Sequence, residues 1–324
     1  MHRTVLAALV LLPDFLGAQR APLLFVSNEW SHDITVVDVN SRTPVATIPV
    51  GARVRGIQTS ADCTQVYAAL TEQNRNDRTG KAGIVAIDVA TRRVVARYPA
   101  GSDPEQFAVS PDGRRLYVSN EDAGAASVID LRKGTLISTE PVGVEPEGVA
   151  ITPNGRTVYV TAETSSTVSV IDTRTNAVAA TFLVDARPRA ATFSRDGRHA
   201  YVTAENGGTV SFIDARRNVV TDRVKLEGGN GRPVGVVASR NGMRVYVTNG
   251  RASTVSVVDA TIHRVVASIP VGKRPWGVAL TRDDRTLFTA NGLSNSVSVI
   301  DTPTNRVVAT IPVGNRPWGV ALVE

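Results

Sequence analysis

Residues 145–184 read EPEGVAIT, PNGR, TVYVTAE, TSS, TVSVID, TRTN and AVAATFLV in succession. Four short runs of β-branched and aromatic residues alternate with turns rich in Asn, Gly, Ser and Thr. Such runs suit strands, and turns of this kind join antiparallel neighbours. Apolar residues at helical spacing are missing from the stretch. It therefore predicts a four-stranded antiparallel meander of about 42 residues.

The same phrase returns along the chain. The motif aromatic-Val-Ser/Thr-Asn/Ala starts at Phe25, Tyr67 (in weaker form), Tyr117, Tyr159, Tyr201, Tyr246 and Phe288, at steps of 42, 50, 42, 42, 45 and 42. A Val/Ile-Asp motif ends at Asp38, Asp88, Asp130, Asp172, Asp214, Asp259 and Asp301, at steps of 50, 42, 42, 42, 45 and 42. Two landmarks that keep one count define a repeat protein. A lone sheet of this size cannot cover both of its faces. A fully buried Val or Ile stabilises by roughly 1.5–3 kcal/mol only where a neighbour covers it. The expected fold is all-β: a single seven-bladed β-propeller of four-stranded antiparallel blades. The stretch APLLFVSNE near the start matches a second strand, and the terminal RPWGVALVE matches a first strand. Residues 316–323 should thus complete the blade begun by residues 23–50, closing the ring.

One propeller over residues 19–324 uses nearly the whole chain, and no shift in composition marks a second domain. Residues 1–18 resemble an export signal, with basic His2 and Arg3, apolar Val5 to Leu12 and a plausible cut after Ala18. A periplasmic or secreted location is expected, and no later segment is long and apolar enough to span a bilayer. The lone Cys63 excludes an internal disulfide. Net charge is +6, carried by arginines scattered among turns rather than gathered in a basic run.

In such a meander the start of each first strand and the end of each second strand meet around one mouth of the channel. The extra residues, eight in Thr71–Gly83 and three in Glu227–Arg232, fall on that face. Loops that vary on one face tend to carry binding. Before the usual proline stand Arg53, Asp103, Glu145, Arg187, Arg232, Arg274 and Arg316. Two positions later stand Arg55, Glu105, Glu147, Arg189, Val234, Trp276 and Trp318. This polarised ring is the candidate site for a planar or anionic ligand or for a protein partner, Trp and Arg being enriched in binding hot spots. Alternatively, its arginines pair with Glu29, Glu121, Glu163 and Glu205 and only staple strands. The Asp of Val/Ile-Asp begins a tight turn and suits a structural role. No histidine pair has metal-ligand spacing, and no haem-attachment, nucleophile-elbow or phosphate-loop motif occurs. No cofactor and no metal is expected.

The phrases Tyr-Val-Thr/Ser-Asn, Val-Ser-Val-Ile-Asp and Ile-Pro-Val-Gly-x-x-Pro-x-Gly-Val-Ala resemble the YVTN-repeat β-propeller family over about residues 22–324. DPEQFAVSPDG, SNEDAGAASVIDL and VGVEPEGVAITPNG are further similar to periplasmic propellers associated with PQQ-dependent alcohol catabolism. That resemblance implies export and accessory work beside a quinoprotein dehydrogenase, with no catalytic residues to carry over. Similar repeats also occur in surface-layer-like proteins and in a lactonase family. The leading expectation is an exported, non-enzymatic binding scaffold that presents its channel mouth to a protein partner or small ligand. The alternatives are a lactonase- or hydrolase-type enzyme, with Glu105, Glu147 or His32 as its acid–base group, and a nucleic-acid or surface-polymer binder acting through arginine.

Overall fold

The computed structural model describes residues 21–72 and 80–324. The export signal expected at 1–18 and the centre of the Thr71–Gly83 insertion lie outside the described residues.

Seven four-stranded antiparallel sheets form the ring. Their innermost strands are β4 (Arg53–Thr59), β8 (Pro104–Val109), β12 (Pro146–Ile151), β16 (Pro188–Phe193), β20 (Pro233–Ala238), β24 (Pro275–Leu280) and β28 (Pro317–Val323). Closure is as the sequence implies. β1 (Leu23–Asn28) lies between β28 and β2 (Asp33–Asp38), with Phe25 opposite both Ala321 and Val36. No helix among the described residues is long and apolar enough to cross a membrane.

Position in the blade decides composition. The second strands are covered by neighbouring blades on both faces, and Val158, Tyr159, Val160, Thr161 and Ala162 are all buried. Fourth strands form the rim and alternate between exposed and half-buried residues, as Ala177–Leu183 does. The core is a set of wedges between adjacent blades: Tyr117, Val128, Val149, Val158 and Ile171 share one. The Val/Ile-Asp carboxylates cap turns as expected, Asp130 Oδ1 accepting the N–H groups of Arg132 and Lys133, both at 2.9 Å.

A hydroxyl explains the Ser/Thr of the repeated motif. Thr248 Oγ1 donates to the Trp276 carbonyl of the next blade at 2.7 Å and accepts the Gly235 N–H of its own blade at 2.8 Å. Ser27, Ser119, Thr161 and Thr203 make the same double latch. Inner strands approach so closely here that a Cβ on Gly148 would lie 2.3 Å from the Arg189 carbonyl oxygen. The latch and this close approach fix the inner strands, and hence the mouth, to one radius.

Candidate functional site

Six of the blades shape the mouth with the same backbone clip. The carbonyl of the residue before the inner-strand proline accepts the N–H of the residue that follows the second strand: Arg187 from Glu205 at 2.8 Å, Glu145 from Glu163 at 2.9 Å, Arg316 from Glu29 at 2.9 Å. Six of these pre-proline residues (Asp103, Glu145, Arg187, Arg232, Arg274 and Arg316) hold positive φ between 49° and 60°. That conformation costs a side-chain-bearing residue roughly 1–2 kcal/mol. The clip and the latched ring hold it in place.

The mouth encloses a cavity of about 520 Å³ lined by six arginines, five glutamates and three tryptophans. On one side carboxylates are threaded on guanidinium groups. Arg189, 7% exposed, pairs through Nη2 with Glu147 at 3.1 Å and donates through Nη1 to Glu163. Arg187 Nε lies 2.8 Å from Glu163 and 3.1 Å from Glu205. On the other side Trp276 and Trp318 stack with centroids 5.7 Å apart at 25°. The guanidinium groups of Arg189 and Arg274 each lie 5.0 Å from the Trp276 ring centre, within cation–π range. Gly292 makes room for this seat, since a Cβ there would lie 3.0 Å from Trp276 Cδ1.

Electrostatics separate the two sides. Burial raises the pKa of both Glu147 and Glu163, and the neighbouring arginines only partly reverse it. Glu163 is pushed up to about 8, which favours its protonated form. Asp103 rises to about 6 through burial and the charge of Glu121. Arg274 is pulled below its ordinary value by burial, with Arg316 and Arg189 repelling it. Its buried Nε has no hydrogen-bond partner among the described residues.

The two sequence rings divide in the structure. Arg53, Arg55, Glu147, Arg187, Arg189, Arg274, Trp276, Arg316 and Trp318 reach the cavity, while Asp103, Glu105, Glu145, Arg232 and His32 do not. Arg232 turns to Asn206, and Glu145 turns to Thr164. The three-residue insertion also serves the frame. Glu227 Oε1 accepts hydroxyls of Thr254 at 3.0 Å, Ser256 at 3.3 Å and Ser268 at 2.6 Å. Strand-stapling pairs do form: Glu29 lies 2.6 Å from Arg53 and 3.0 Å from Arg316. Glu121, Glu163 and Glu205, read from sequence only as such staples, prove to line the cavity. The findable signal was their shared place after the Tyr-Val-Ser/Thr motif.

The class is thus a seven-bladed propeller with a charged, aromatic mouth. Residues 186–286 match the YNCE-like beta-propeller family, and the seven-bladed ring is the fold that the YVTN-type resemblance of the repeats implied. The narrower likeness to PQQ-associated propellers is not part of that match. No curated protein matches the chain. The hydrazine synthase of Kuenenia stuttgartiensis is 22% identical with a TM-score of 0.77, over 86% of this chain and 92% of that one. A provisionally named 6-phosphogluconolactonase from Bacteroides uniformis is 19% identical with a TM-score of 0.78, over 94% and 100%. The dihydro-heme d1 dehydrogenase NirN is 18% identical with a TM-score of 0.68, over 92% and 74%. At such identities the likeness shows the fold. It nevertheless corrects the expectation of a non-enzymatic scaffold: propellers of this shape carry enzyme names, among them one of the lactonase class weighed as the alternative.

Proposed function

We propose that this chain is a hydrolase of the lactonase type, exported as its first 18 residues suggest, which opens a small anionic lactone or ester in the channel mouth. The observation that carries the reading is the pairing, in one cavity, of a buried carboxyl raised to about 8, Glu163, with a guanidinium, Arg274, whose buried Nε has no hydrogen-bond partner among the described residues. Titratable groups set apart in this way suit acid–base work.

Arg274 takes the anionic group of the substrate, and the stacked Trp276 and Trp318 cover its apolar part. Glu205 accepts a proton from water as the water oxygen bonds to the acyl carbon. Glu163 gives its proton to the leaving oxygen as the acyl C–O bond breaks. Arg187, touching both carboxyls, balances the charge that passes between them. The products are an alcohol and a carboxylic acid, which loses its proton to solvent to become the carboxylate, and the proton on Glu205 passes to Glu163, restoring both groups.

The test is a screen of the purified protein against lactones and aryl esters in anionic and neutral pairs. Losing one charge-assisted contact costs about 1.5–3 kcal/mol. Arg274→Gln should therefore lower kcat/KM roughly 10- to 100-fold on anionic substrates, mostly through KM, and leave neutral ones nearly unchanged. Absence of turnover across the whole panel, or equal loss on both kinds of substrate, overturns the reading.

A further inference from the structure

On the acidic side of the mouth, one blade gathers more negative charge than its surroundings neutralise. Asp103 and Glu105 flank the first residue of β8, and Glu121 follows the strand Arg115–Asn120 that pairs with it. The backbone clip between the Glu121 N–H and the Asp103 carbonyl, 3.1 Å, draws the three side chains together. One carboxylate oxygen from each lies within 4.8 Å of the others. Two oxygens on opposite sides of a Ca²⁺ ion, each at about 2.4 Å, are themselves about 4.8 Å apart.

A second observation is independent of this clustering. Glu105 is fully buried, and although Arg55 holds its Oε1, its Oε2 has no hydrogen-bond partner among the described residues. An ionised oxygen kept from both water and a donor is costly, and a cation satisfies it. The next blade supplies an internal comparison. There Arg189 bridges Glu147 and Glu163, and Glu145, at the place of Asp103, turns away to Thr164. In the Asp103 blade the guanidinium of Arg55 reaches Glu105 and stands 3.7 Å from Glu121. The third carboxylate, Asp103, forms no ion pair with a guanidinium among the described residues; the Thr71 hydroxyl donates to its Oδ1, and Arg53 acts on it from farther off. Among the described residues, three carboxylates meet the guanidinium of Arg55, itself shared with Glu29, and a more distant Arg53, so negative charge is in surplus.

We infer that Asp103, Glu105 and Glu121 form a binding site for one divalent cation, Ca²⁺ being the best match. The donors are all hard oxygens, which disfavours zinc and copper. The irregular setting of three carboxylates and a hydroxyl suits the flexible shell of Ca²⁺ better than the strict octahedron of Mg²⁺. The inference goes beyond the hydrolase reading and does not depend on it, because binding is measured without turnover.

Calorimetric titration of the chelator-stripped full-length protein with CaCl₂ tests it, with MgCl₂ as comparison. The expected result is one Ca²⁺ per chain, bound more tightly than Mg²⁺, and a melting temperature that rises with Ca²⁺ concentration. Asp103→Asn and Glu121→Gln should each weaken binding at least tenfold. Glu145→Gln, at the matching place in the next blade, should bind as the parent does. Two carboxylate variants are used so that misfolding of one, detected by circular dichroism, still leaves the other decisive. Absence of binding at millimolar Ca²⁺, parental affinity in the folded carboxylate variants, or a comparable loss in Glu145→Gln overturns the site.

Discussion

Replacing Glu163 with glutamine should make the protein more stable in alkali, against the usual effect of deleting an ion-paired carboxylate. In the folded chain this carboxyl is raised from its ordinary 4.5 to about 8. Burial is the main cause. Arg189 opposes it, Glu147 adds to it, Arg187 opposes and Glu121 adds, with Glu205 sharing Arg187. Because the folded value exceeds the unfolded one, the native state binds the extra proton between these limits. The contribution is therefore whole below pH 4.5 and is lost as pH rises through about 8. Each tenfold change in acidity is worth about 1.4 kcal/mol, so the ceiling lies near 5 kcal/mol. Relaxation of the cluster and entry of water at the open mouth as the carboxyl ionises should reduce the net loss to about 2 kcal/mol. Glutamine mimics the protonated acid and does not titrate. Urea unfolding at pH 5 should place variant and parent within about 1 kcal/mol. At pH 9 the variant should lead by about 2 kcal/mol. All three tryptophans of the chain line the mouth, so their fluorescence reads this region directly, with far-ultraviolet dichroism reporting the rest. A stability difference that does not change between pH 5 and pH 9 would refute the protonated-carboxyl assignment, and with it the acid role given to Glu163.

Two further outcomes test the frame that holds the site. Thr248→Val removes a donor to the Trp276 carbonyl and an acceptor for the Gly235 N–H, and should cost about 1–3 kcal/mol in urea unfolding. A change under about 0.5 kcal/mol would show that the latch is idle. Gly148→Ala would press a Cβ to 2.3 Å from the Arg189 carbonyl oxygen and 2.9 Å from Ala190 Cα. Backbone atoms cannot swing aside, so a loss of about 3 kcal/mol and a shifted tryptophan spectrum are expected; parental stability would contradict the close approach.

The fold was legible because two motifs keep one count, and because the ends of the chain supply one strand and three strands of a single blade. The rings at Arg53 and Arg55 were legible for the same reason. The division within them was not. Asp103 and Glu145 hold equivalent places, yet one turns to Thr71 and its own blade's carboxylates, the other to Thr164. The acid character of Glu163 was hidden more deeply. It comes from burial and from the charges of Glu147 and Glu121, only partly offset by guanidinium groups of the following blade, and none of these leaves a spacing in the sequence. Without a catalytic motif to read, the mouth suggested a scaffold, and that expectation fell to the enzyme-named propellers of the same shape.

A seven-fold scaffold also provides its own argument for where chemistry resides. If the charged mouth only fastened strands, one arrangement would serve every blade, as the Ser/Thr latch serves five of them. Instead the mouth changes from blade to blade in linked steps. Where the inner strand carries Trp276, the residue after the paired second strand is Gly292, although four blades place glutamate there, and a Cβ would crowd the indole. The exchange removes a carboxylate that could have neutralised Arg274 and puts an aromatic face beside it. Fastening gains nothing from that exchange, since it gives up an ion pair and leaves a buried guanidinium nitrogen without a partner. A site that must admit an anion beside an apolar surface gains both of its elements, which is why the asymmetry favours a ligand over a staple.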